Sequence, residues 1–74
     1  MYEQLKAVLV EDLSIDEDKI TPDANLMTDL EINSLELADL MMTCEERFDI
    51  VISDDDMESL VTVGDVVRYL EERV

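Results

Sequence analysis

Apolar residues return every three or four positions along three stretches of the chain, the period of a helix packed on one side. In the first stretch Leu5, Val8, Leu9 and Leu13 form one stripe, which predicts a helix from about Tyr2 to Leu13. In the second, Leu37, Leu40, Met41, Cys44 and Phe48 recur at spacings of three, four and seven, so a helix is expected to run to about Phe48. Its start is marked by Asn33, a favourable N-cap residue, with Glu36 placed to reach back to the Asn33 amide. Near the end of the chain Thr62 and Asp65 form a cap for a last helix that carries Val63, Val66, Val67 and Leu70 inward. Asp54 to Leu60 is a short helical candidate.

Residues 14–33 read as a long connection. Ser14 and Glu17 have capping-box spacing, but Asp16, Glu17 and Asp18 precede no long apolar stripe, so at most a turn is expected there. Pro22 disfavours helix at Thr21. Ile15, Ile20, Leu26, Met27 and Leu30 are spaced to pin the segment to the helices, which makes it an ordered strap and not a linker. With one Gly and one Pro in the chain, few hairpin turns are available. The expected fold is all-α: a small four-helix bundle of three longer helices and one short one, with a long ordered connection between helices one and two. One domain is expected over residues 1–74.

Charge and composition narrow the chemistry. Against 21 acidic residues stand 5 basic ones, giving a formal charge of −16 with no histidine. Three aromatics among 74 residues leave the core to aliphatic side chains and methionine, and a chain this short has little room for a large catalytic cleft. Without histidine and with one cysteine there is no imidazole acid/base chemistry, no Cys/His pair, no zinc site of the usual ligand count and no intramolecular disulfide. Phosphate backbones and anionic lipid headgroups are repelled, so neither nucleic acid nor membrane insertion is expected. The expected partners carry basic surfaces. The first residues lack the basic leader and apolar run of a secretory signal, and no stretch is long enough to span a bilayer, which points to the cytoplasm; a monomer is expected. Cys44 agrees with a reducing compartment and lies in line with Leu37, Met41 and Phe48, where a buried apolar role is expected of it.

Two features of the second helix exceed what folding needs. The first is another apolar row, Leu35, Ala38 and Met42, rotated away from the core stripe and bordered by Glu36, Asp39, Glu45 and Glu46. Either the row is partly buried against the connection or it is a docking stripe inside an acidic rim, suited to a partner with a basic rim and an apolar pocket. The second is Ser34, a hydroxyl in the first turn, where free amides and the helix dipole favour an anion. Local features leave open whether Ser34 is an ordinary first-turn serine or a place for a phosphodiester. A calcium loop is suggested by Asp54, Asp56 and Glu58, but Ser59 stands where such a loop needs Gly and Asp65 is shorter than the closing Glu, so no metal site is expected. An enzyme is not expected either, because Ser34 has no histidine base.

Taken together, Ile20-Thr21-Pro22-Asp23-Ala24, Asn33-Ser34-Leu35, Glu45-Glu46-Arg47-Phe48 and Thr62-Val63-Gly64-Asp65 resemble the acyl carrier proteins over nearly the whole length. The resemblance implies a four-helix bundle and places Ser34 where the family serine carries 4′-phosphopantetheine, a covalent arm taken from coenzyme A whose thiol holds acyl groups as thioesters. It implies partner enzymes that recognise helix two through Leu35, Glu36, Ala38, Asp39, Met42, Glu45 and Glu46, a phosphopantetheinyl transferase among them. Leu37, Met41, Leu60 and Val66 are candidate walls for an acyl chain. Two residues depart from the usual motif: Asn33 replaces the familiar Asp, and Glu31 stands where Gly is common. The expected function is a discrete carrier of acyl intermediates among separate enzymes, most plausibly in fatty-acid biosynthesis. The alternatives are a polyketide or other specialised carrier and a non-carrier acidic interaction protein.

Overall fold

The structure is a computed structural model and describes residues 1–73. The apolar stripe of α1 (Tyr2–Leu13) buries Leu5, Val8 and Leu9, and the helix stops where Ser14 turns left-handed at φ 56° with its amide donating to the Leu9 carbonyl. Ser14 therefore ends a helix instead of starting one. The turn expected after it is a single 3-10 turn at Glu17–Lys19, capped by the Asp16 side chain, which accepts from the Asp18 amide. Helix α2 (Ser34–Phe48) buries Leu40, Met41 and Cys44. A five-residue helix, α3 (Asp54–Glu58), contributes no buried residue, and α4 (Val63–Arg73) buries Val63, Val66, Tyr69 and Leu70. Among the described residues the architecture is thus all-α, with one isolated antiparallel bridge between Asn25 and Thr62.

The strap between α1 and α2 is ordered by what it touches. Ile20, Ala24, Leu26, Leu30 and Ile32 are buried, and Ile15 packs half-buried against the same core. Met27, expected as another pin, is instead 49% exposed. It sits at the tip of a tight turn in which the Asn25 side chain accepts from the Met27 and Thr28 amides, and a residue at the tip of a turn points away from the core the turn closes on. The strap is also tied by backbone bonds. The Val63 and Gly64 amides, orphaned by their place in the first turn of α4, donate to the carbonyls of Ala24 and Pro22 at 3.0 and 2.8 Å. The Thr62–Asp65 cap forms in both directions, each side chain accepting from the other's amide at 3.1 Å. That hydrogen bonding holds the Asp65 carboxyl below its ordinary range. The Tyr2 hydroxyl donates to the Ile20 carbonyl and so joins α1 to the strap.

Buried in this contact is the reason for the single glycine. A Cβ on Gly64 would stand 2.9 Å from the Pro22 carbonyl oxygen, a backbone atom with little freedom to move. Gly64→Ala is therefore expected to lower the unfolding free energy by about 1–3 kcal/mol despite the better helix propensity of Ala, because it pushes the strap off the start of α4. Urea unfolding measures this, and an unchanged midpoint would mean that the strap yields freely.

Candidate functional site

The last strap residues set the start of α2. The Leu30 amide donates to the Asn25 carbonyl and the Ile32 amide to the Leu26 carbonyl, which brings Ile32 into the core, 1% exposed. Between them Glu31 adopts φ 56°, in the left-handed region. The chain then leaves the core at Asn33. Its side chain accepts from the Glu36 amide at 2.8 Å while the Glu36 carboxylate accepts from the Asn33 amide at 3.3 Å, a complete capping box. Ser34 follows as the first helical residue and is exposed. The Ser34 and Leu35 amides belong to the first turn and have no intrahelical acceptor.

The apolar row beside Ser34 lies largely outside the core. Leu35 is 80% exposed and Met42 58% exposed, with Ala38 half-buried between them. Asp39, Met42 and Glu46 line a surface hollow of about 420 Å³ together with Asp12, Leu13 and Thr43. The four acids of the proposed rim divide by what holds them. Glu36 belongs to the cap, and the Glu45 carboxylate accepts from the Ile52 amide at 3.1 Å, fastening the loop after α2. Asp39 and Glu46 are exposed and take part in no ion pair among the described residues. No sequence spacing announces the Glu45 bond, since its partner lies in an irregular loop.

Of the candidate acyl walls, the structure brings two together. Leu37 and Leu60 both line an open cleft of about 320 Å³, together with Met27 and Thr28 of the strap turn and Met57 of α3. Met41 and Val66 are buried in the core, 2% and 0% exposed, and do not line it. Their helical spacing fits either place, and only the packing decides. Met27, Met57 and Val61 are the walls that sequence reasoning missed. The cleft lies one turn along α2 from Ser34, because Leu37 follows Ser34 by three residues. Cys44 is buried, and burial pushes its thiol up to about 11, so it holds its proton at neutral pH and fills space. Asp54, Asp56 and Glu58 stand on α3 and not in a ligand loop.

The start of α2 thus offers an exposed serine hydroxyl at the positive end of a capped helix, beside an apolar cleft and an apolar row with free acids. Residues 3–70 match the family described as "Phosphopantetheine attachment site". Over 72 residues, covering 97% of this chain and 92% of its counterpart, the sequence is 42% identical to a protein of Helicobacter pylori (strain J99) named "Acyl carrier protein". The chain belongs to the acyl carrier protein family, whose cofactor is 4′-phosphopantetheine. The start of α2 suits that group: the free first-turn amides and the dipole favour a phosphodiester, and the hydroxyl is open to solvent. No helix among the described residues is long and apolar enough to cross a membrane.

Glu31 generates a test of how the site is held. A non-glycine residue in the left-handed region costs about 1 kcal/mol, and only part of this is returned by the greater freedom glycine has when unfolded. Glu31→Gly is therefore expected to stabilise the protein by a few tenths to about 1 kcal/mol, and Glu31→Ala, which removes the charge but keeps the strain, is expected to fall short of it. Equal urea midpoints for the two variants would show that the charge and not the backbone is what matters at this position.

Proposed function

We propose that Ser34 bears the 4′-phosphopantetheine arm as a phosphodiester and that the chain delivers acyl intermediates held on it to separate enzymes, those of fatty-acid biosynthesis, in the cytoplasm and as a monomer. The observation that carries this reading is the exposed Ser34 hydroxyl on the first residue of a helix whose cap is already complete. When attached, the arm supplies a thiol that holds acyl groups as thioesters. The chain itself binds and presents and does not catalyse. It has no histidine to take the Ser34 proton, Asn33 is a carboxamide and no base, and the neighbouring Glu36 carboxylate is engaged by the Asn33 amide, so the base is supplied by a partner transferase. The helix dipole offsets part of the repulsion between the phosphodiester and the surrounding carboxylates.

The cleft of Leu37, Met57 and Leu60 suits an alkyl chain, since each methylene removed from water contributes about 0.8 kcal/mol. Leu35 and Met42 offer an apolar anchor, and Asp39 and Glu46 offer charge to a basic partner without giving up a fold contact. Glu36 and Glu45 contribute to the same field while serving the helix end and the following loop.

Incubation with coenzyme A and a phosphopantetheinyl transferase is expected to add one arm to the wild type and none to Ser34→Ala, read by intact mass. An arm retained by Ser34→Ala would move the site elsewhere. For docking, Asp39→Lys and Glu46→Lys are each expected to slow association with an acyl-processing enzyme by up to about tenfold at low salt and to flatten its salt dependence. Met42→Ala is expected to act mainly on dissociation. The control is Asp18→Lys in the strap. Equal slowing by Asp18→Lys, measured by stopped flow at two salt concentrations, would mean that net charge and not the α2 face governs encounter.

A further inference from the structure

The α3 wall of the cleft is held in an unusual way. This helix has five residues, none of them fully buried, and only Met57 packs half-buried against the core, so packing gives it a single point of hold on the bundle. Its Asp56 is nevertheless fastened to α4: the Tyr69 hydroxyl donates to Asp56 Oδ2 at 2.7 Å, and Arg73 Nη2 stands 3.5 Å from the same oxygen. The Arg73 guanidinium lies 3.5 Å from the centre of the Tyr69 ring, and its Nη1 donates to the Tyr69 carbonyl. Tyr69 is only 8% exposed, so its ring is fixed by the core while its hydroxyl reaches the surface. The residue after Asp56 is Met57, which lines the cleft together with Leu37.

We propose that Tyr69 is a positioning residue for cargo: with Arg73 it clasps Asp56, and the clasp sets how readily the α3 wall parts to admit or release an alkyl chain. The inference rests on the reading that the cleft receives the acyl chain. A tight charge-assisted hydrogen bond at one point of a short, otherwise unburied helix makes a latch, because breaking it frees Met57 without disturbing α1, α2 or the buried part of α4. Ser53 and Ser59 cap the two ends of α3 through the backbone of Asp56 and Met57, so the helix keeps its shape when the clasp opens. What moves is its hold on α4.

The test uses wild type, Tyr69→Phe, Asp56→Ala and the double variant, each unloaded, acetyl-loaded and octanoyl-loaded. In the unloaded proteins, exchange of the Met57, Ser59 and Leu60 amides is expected to quicken about tenfold in either single variant and no further in the double one, with the Val8 and Leu9 amides unchanged. In the loaded wild type, hydroxylamine is expected to cleave the octanoyl thioester severalfold more slowly than the acetyl one, and Tyr69→Phe is expected to remove most of that protection. Unchanged α3 exchange would overturn the clasp itself. Faster exchange with the octanoyl protection intact would overturn its control of cargo while leaving the cleft as the acyl site. Octanoyl and acetyl thioesters cleaved alike in the wild type would remove the cleft reading and this inference with it.

Discussion

Two backbone hydrogen bonds, from the Val63 and Gly64 amides to the Ala24 and Pro22 carbonyls, hold the middle of a long irregular segment against the start of a helix. Everything at the site depends on that attachment. With residues 22–24 fixed, Leu26 pairs with the Val61 carbonyl, the Asn25 turn closes, and Leu30 and Ile32 enter the core. The chain is then delivered to Asn33 in an extended conformation, ready to cap α2 with Ser34 outside. The same two bonds satisfy amides that α4 cannot satisfy itself, so one contact serves both a helix end and the path to the site. Close approach of two backbones requires the residue between them to lack a Cβ, and the only glycine of the chain stands there.

The second constraint is charge. A formal charge of −16 on 74 residues works against compaction, and of the four close ion pairs found among the described residues only Arg73–Asp56 is joined by a further hydrogen bond, from Tyr69; the other three, each with a carboxylate largely open to solvent, contribute little. Several carboxylates are instead spent on backbone amides: Asp16, Asp29, Glu36, Glu45 and Asp65 each accept from one or two. This division separates acids that build the fold from acids such as Asp39 and Glu46 that only project a field. In the docking proposed above, attraction to a basic partner offsets what the second group costs the free protein.

Much of this was legible in the sequence because it is local and periodic. The three long helices follow from apolar spacing, and the caps at Asn33 and Thr62 follow from residue pairs three apart. The position of Ser34, first in the helix after the cap, was legible for the same reason, while its proposed role came from the resemblance of the surrounding motif. What was not legible depends on contacts between distant residues. Met27 has the composition of a core residue, and only the direction of the Asn25 turn puts it outside; Met41 and Val66 have the spacing of cleft walls, and only helix packing puts them inside. Tyr69 gave no signal beside the expected stripe of Val63, Val66, Val67 and Leu70, yet it is buried with its hydroxyl donating to Asp56 at the edge of the core, while Val67 is only half-buried. Glu45 looked like one more surface acid until the loop at Ile52 returned to it.

The central claim is that one hydroxyl, chosen by the geometry at the start of α2, bears the arm in the cell. The most direct measurement is proteolytic fragmentation and mass spectrometry of the protein purified from its own cells, locating the phosphopantetheine to a single residue. Every arm-bearing fragment is expected to contain Ser34, and backbone cleavage on either side of it is expected to assign the added mass to that residue. An arm found on Ser53 or Ser59, or on any hydroxyl other than that of Ser34, would contradict it.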